Sequence, residues 1–134
     1  MGRRRGVKVL LDTCAVVWAT MAPSALSQAS AEVIADSGNV ILVSAASAWE
    51  IATKLRLGKL PGAEKLERNY LDILAIAGYI ALPIDSQSAL RAGRFVAAHR
   101  DPFDRILAAQ ALDMDIPIVS PDTQLDQFGV RRIW

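Results

Sequence analysis

Val7-Lys8-Val9-Leu10-Leu11-Asp12-Thr13-Cys14 is the stretch on which the architecture turns. Five residues, apolar but for one lysine, run into an aspartate and then into a segment with helical spacing. A strand covered on both faces carries a near-continuous apolar run instead of strict alternation. Residues 7–11 therefore read as a buried strand of a parallel sheet. Working outward, Val40-Ile41-Leu42-Val43 repeats the pattern, residues 79–84 give a third strand and residues 116–119 a fourth, with residues 130–134 as an edge strand.

Helical segments fill the gaps. One spans residues 14–21 and ends near Pro23; the next is capped by Ser24 or Ser27 and stopped by Gly38-Asn39. Ser44 and Ser47 are alternative caps for a helix that runs to Leu57, and with Ser47 as cap Glu50 would complete a capping box. Residues 63–77 place Leu66, Tyr70, Ile73, Leu74 and Ala77 on one helical face before Gly78. Ser86 caps a helix through residue 98, and Asp101-Pro102, an aspartate cap with proline at the first helical position, opens one through residue 112. Strands alternating with helices predict a three-layer α/β/α fold with a short, mostly parallel central sheet. A single domain is expected over residues 1–134, with residues 1–6, including Arg3-Arg4-Arg5, as a mobile lead-in.

Charge and composition narrow the function. A net charge of +1 argues against coating nucleic acid by bulk charge, so any such partner needs local basic patches. The single cysteine, Cys14, excludes an intrachain disulfide and an all-cysteine metal cage, and reads as a small buried thiol. No apolar run reaches the ~20 residues of a membrane span and no signal-peptide pattern opens the chain, which predicts a cytoplasmic protein with no membrane role.

Four acids fall where strands end or helices begin: Asp12 after the first strand, Glu50 and Asp104 in helices, and Asp122 after Ile118-Val119-Ser120-Pro121. Ligands of open parallel sheets bind at the carboxyl ends of the strands. Carboxylates collected there repel one another unless a cation compensates them, and a hard divalent ion with oxygen ligands is the economical solution. Each acid also has an ordinary explanation: Asp12 and Asp101 as helix caps, Asp104 as a first-turn acid, Asp122 as a turn former. Their joint placement carries the inference.

Leu10-Leu11-Asp12-Thr13, Ser47-Ala48-Trp49-Glu50-Ile51, His99-Arg100-Asp101-Pro102-Phe103-Asp104-Arg105 and Val119-Ser120-Pro121-Asp122 occur in the order seen in PIN-domain proteins. The chain resembles the VapC-type toxins of VapBC toxin–antitoxin pairs over nearly its whole length. The resemblance implies a Mg²⁺- or Mn²⁺-dependent endoribonuclease with Asp12, Glu50, Asp104 and Asp122 as its catalytic and metal-binding quartet. It also implies an RNA substrate, a VapB-type antitoxin partner, a homodimer and a larger toxin–antitoxin assembly. Two positions depart from the pattern: Cys14 stands where many relatives carry histidine, and Ser120 replaces a common threonine. Thr13, Asp101 and Ser120 are candidate supporting residues, and Lys54, Arg56, His99, Arg100 and Arg105 candidate RNA contacts at the rim. Arg105 could instead pair with a neighbouring carboxylate, and Lys59 reads as a solvated surface charge. The rival readings are a catalytically silent PIN-like binding module and a Mg²⁺-dependent phosphatase or phospho-receiver. Such phosphatases want an acid at position 14, where this chain has cysteine.

Overall fold

The structure is a computed structural model that describes residues 6–134; the arginine lead-in expected at residues 3–5 lies outside the described residues. Five strands form one sheet: β1 (Lys8–Leu11), β2 (Val40–Ser44), β3 (Ile80–Leu82), β4 (Ile118–Val119) and β5 (Arg132–Ile133). Their order is β3-β2-β1-β4-β5 and every pairing is parallel. The helices are α1 (Thr13–Met21), α2 (Gln28–Ala35), α3 (Ala45–Arg56), α4 (Glu64–Arg68), α5 (Tyr70–Ala77), α6 (Ser86–Arg94) and α7 (Pro102–Met114).

Side-chain alternation along the strands builds the layers. Val9 and Leu11 of β1, Ile41 and Val43 of β2 and Val119 of β4 face one way, onto Ala15, Val16, Ile51, Leu66 and Leu74. Leu10, Leu42 and Ile118 face the other way, onto Leu107, Ala108 and Ala111 of α7 and onto Leu125 and Phe128. These are the three layers expected of an α/β/α sandwich. Small residues at 108, 109 and 111 let α7 pack close to the sheet.

The chain steps outward from β1 to β2 and β3, then returns to add β4 and β5 on the opposite side. The strand order thus reverses between β1 and β4, which makes their carboxyl ends the topological switch point. Leu11 lies beside Val119, and the Asp12 N–H donates to the Val119 carbonyl at 3.1 Å.

Three helix boundaries differ from expectation. Residues 63–77 form two helices broken at Asn69, whose φ of −113° lies outside the helical range. Asp85, one residue before Ser86, caps α6 by accepting the Ser88 N–H at 2.8 Å. That helix also stops at Arg94 instead of residue 98, because the next carbonyls are drawn onto Arg105. Of the two caps expected for α2, Ser27 is the one that forms, its Oγ accepting the Ser30 N–H at 3.1 Å.

Candidate active site

Asp12 leaves β1 and caps α1, its Oδ1 accepting the Ala15 N–H at 2.7 Å. Capping and lining a site are therefore compatible: one oxygen holds the helix and the carboxyl group still faces the cavity beside it. Ser120 hydrogen-bonds this carboxyl, and its Oγ accepts the Asp122 N–H at 3.0 Å. The serine thus ties the ends of β1 and β4 together, and ties Asp12 to the backbone of Asp122. Burial pushes the Asp12 pKa up to about 6, against the lowering influence of the Ser120 and Ala15 bonds, and the nearby charges of Asp104 and Glu50 add to the rise.

Glu50 sits well inside α3, and the capping box with Ser47 does not form. Ser44 is the cap, accepting the Ala46 N–H at 3.0 Å while its own hydroxyl donates to Gln110 Oε1 at 2.5 Å. Ser47 lies one turn further in and accepts the Thr13 hydroxyl at 3.0 Å, a buried bond between α1 and α3. Glu50 therefore has no capping role. A glutamate only 4% exposed, away from any helix end, answers to the cavity instead. Its partner is Lys54, one turn on, with Nζ 2.6 Å from Oε2. Burial disfavours the lysine charge, but the Glu50 hydrogen bond and the charges of Glu50, Asp101 and Asp104 outweigh it and raise its pKa.

Asp101 caps α7, with Oδ1 accepting the Phe103 N–H at 2.9 Å and the Asp104 N–H at 3.4 Å. One turn into the helix, Asp104 Oδ2 lies 2.7 Å from His99 Nε2. Burial raises the Asp104 pKa, the His99 bond works against it, and Asp101 and Glu50 push it higher. His99, Asp101 and Asp104 each offer a ligand atom within 4.8 Å of the others. Asp122 enters from the far side, capping a 3-10 turn (Thr123–Phe128) through the Gln124 N–H at 2.9 Å.

One cavity of about 330 Å³ is lined by all four members of the expected quartet, together with Asp101, Thr13, Cys14 and Lys54. Val17, Trp18, Leu60 and Pro121 complete its wall. These apolar residues were not singled out from the sequence, although Val17 and Trp18 follow Cys14 by three and four positions and so share its helix face. Burial drives the Cys14 thiol up to about 12, aided by the charge of Asp12, which leaves it unreactive. Five carboxyl groups face a single ammonium among the described lining residues. Burial raises the pKa values of Asp12 and Asp104, with a smaller contribution from the neighbouring acids, and the carboxyl oxygens that line the cavity fit a hard divalent cation.

The expected rim is only partly assembled. Arg56 and Arg100 are exposed, as is Lys59. Arg105 has no carboxylate partner among the described residues. Its guanidinium donates instead to the carbonyls of Ala92, Phe95, Ala97 and His99.

The PIN domain family model matches residues 9–130. Ribonuclease VapC16 of Mycobacterium tuberculosis is 45% identical over 53 residues, a stretch covering 40% of this chain and 38% of that protein. The chain thus matches well under half the length of this relative. VapBC2 from Rickettsia felis, solved bound to a DNA fragment from its promoter, superposes with a TM-score of 0.66 at 15% identity, covering 93% of this chain and 96% of that one. FitAcB from Neisseria gonorrhoeae superposes with a TM-score of 0.59 at 21% identity over 92% and 95% of the two chains. At such identities the superpositions speak for the fold. With the family model spanning nearly all of the sequence, from β1 through the last cavity acid, the chain belongs to the PIN domain family.

Proposed function

We propose that this chain is a Mg²⁺- or Mn²⁺-dependent endoribonuclease of the VapC type, the toxin of a toxin–antitoxin pair. The observation that carries the reading is the convergence of Asp12, Glu50, Asp104 and Asp122, from four separate elements, on one cavity at the switch point of the sheet. The 45% identity to a ribonuclease over 53 residues supports the substrate class. The toxin–antitoxin complexes among the structural neighbours suggest the biological setting. In that setting the chain acts as one PIN-like unit over residues 1–134, in the cytoplasm, as a homodimer held inactive by a VapB-type antitoxin. No helix among the described residues is long and apolar enough to cross a membrane.

In this reading Asp12 and Asp104 are the first cation ligands, Glu50 ligates directly or through water, and Asp122 supports the opposite side of the site. A bound divalent ion supplies an acidified water and neutralises charge that develops on the phosphate. Ser120 keeps Asp12 and Asp122 in register. Lys54 pairs with Glu50 and offsets part of the carboxylate charge. Exposed Arg56 and Arg100 offer phosphate contacts outside the cavity, which predicts RNA affinity that falls with salt.

The test is to purify the chain free of partners and incubate it with total RNA, with and without Mg²⁺, then map the cut ends. Metal-dependent cleavage leaving 5′-phosphates and 3′-hydroxyls is expected. Absence of both cleavage and Mn²⁺ uptake would favour the silent binding module.

A further inference from the structure

Arg105 makes four hydrogen bonds to backbone carbonyls of one segment. Nε donates to Ala92 at 2.9 Å, Nη2 to Phe95 at 2.5 Å, and Nη1 to His99 at 2.9 Å and Ala97 at 3.3 Å. The guanidinium carbon also lies 5.8 Å from the centre of the Phe95 ring. These carbonyls belong to the end of α6 and to the seven residues that lead into α7, a stretch with no regular ladder of its own. A planar fork with fixed donor directions can gather several carbonyls at once, which a lysine ammonium on a flexible stem does poorly.

The last carbonyl in this set belongs to His99, whose ring lies 2.7 Å from Asp104 Oδ2 and 6.0 Å from the centre of the Phe128 ring. With Asp104 ionised, Nε2 carries the hydrogen and donates it. One carboxylate oxygen is then held, which limits rotation of the side chain. Hydrogen-bonded partners of ligating carboxylates set ligand orientation in this way.

We propose that Arg105 is a positioning residue, acting through His99 on Asp104, and makes no contact with RNA. Clamping the α6–α7 connection fixes where the His99 ring stands, and the ring fixes the rotamer of Asp104. This rests on the ribonuclease reading only in naming Asp104 as a cation ligand.

His99 is the chain's single histidine, so its ring resonances in ¹⁵N NMR are unambiguous. Metal-free Arg105→Gln should shift them, and Mn²⁺ affinity measured by electron paramagnetic resonance should fall about 10–100-fold. His99→Leu should cause a loss of similar size. The double variant should lose no more than His99→Leu alone, because both act on one carboxylate. Arg105→Lys, which keeps the charge and fewer donors, should fall between wild type and Arg105→Gln and carries the test if the glutamine variant does not fold. Additive losses would overturn the proposal. So would unchanged His99 signals and Mn²⁺ affinity with RNA binding weakened and less salt-dependent, the signature of a phosphate contact. Wild-type protein that takes up no Mn²⁺ would defeat the ribonuclease reading and this inference together; wild-type uptake left unchanged in Arg105→Gln would defeat this inference alone.

Discussion

Carboxylates at two ends of this molecule behave in opposite ways. In the cavity at the switch point, Asp12 is buried and Asp104 half-buried among other acids, and both have raised pKa values. At the opposite end of α7 from Asp104, Asp113 accepts from Arg91 at 2.6 Å and from Ser88 at 2.8 Å. There burial opposes the charge, but the Arg91 and Ser88 bonds and the Arg91 charge together outweigh it and hold the carboxyl below its usual range. Asp126 is likewise lowered by Arg132, which stands 2.8 Å away. The same side chain stabilises the fold where an arginine pairs it and costs stability where burial, and to a lesser degree neighbouring acids, oppose its charge. Concentrated like charge costs stability in the resting chain, and a site that holds it is built to receive something positive.

The largest effect should come from Asp104→Asn or Asp12→Asn, each of which removes a charged ligand. RNA cleavage followed by gel should drop about a thousandfold or more, with circular dichroism unchanged. Retained cleavage would separate the cavity from the chemistry.

Asp12→Asn should also stabilise the metal-free protein at pH 7 by about 1–3 kcal/mol in urea denaturation, because asparagine keeps the cap and drops the buried charge. The sign follows from the pKa of about 6 against 3.8 for an unperturbed aspartate. The folded state holds the proton more tightly, so this group's contribution is full below about pH 4 and is lost as the pH rises through about 6. A wild-type midpoint that rises with pH across that window, after the other carboxylates are accounted for by Asp12→Asn, would contradict it.

Lys54→Met strips the cavity of its ammonium. The metal-free protein should lose about 1–2 kcal/mol, less than for a fully buried pair because Lys54 is 43% exposed. Saturating Mn²⁺ should close most of that gap, since the cation takes over the neutralising role. The smallest effect belongs to the contrasting end. Asp113→Asn should destabilise by about 0.5–1 kcal/mol and leave Mn²⁺ affinity and cleavage untouched. Equal metal dependence in Asp113→Asn and Asp12→Asn would dissolve the distinction between the two ends.

The layered parallel fold was legible because β1, β2 and β4 are short apolar runs bounded by polar residues, as doubly covered strands must be. The four acids were legible as a group because three of them follow strands or open helices, where switch-point chemistry gathers. Glu50 was the hardest. Two serines three residues apart both fit a helix start; Ser44 caps it through the Ala46 N–H, while Ser47 is taken by Thr13, 34 residues away in sequence. The role of Arg105 was hidden for the same reason. A basic residue beside an acid suggests a salt bridge or a phosphate contact, whereas its actual partners are carbonyls in a loop whose path no local pattern announces. Local pattern finds strands and caps; it does not find which distant backbone a side chain reaches. The break at Asn69 is a further case, since the apolar spacing over residues 63–77 continues across it.

Trp18 forms part of the cavity wall and its ring lies 5.6 Å from that of Trp134. An indole placed beside a cluster of negative groups senses the local field, and its neighbour shares the excited state. Occupancy of the cavity will therefore register in the ultraviolet emission of the native chain, giving a label-free gauge of what enters and leaves.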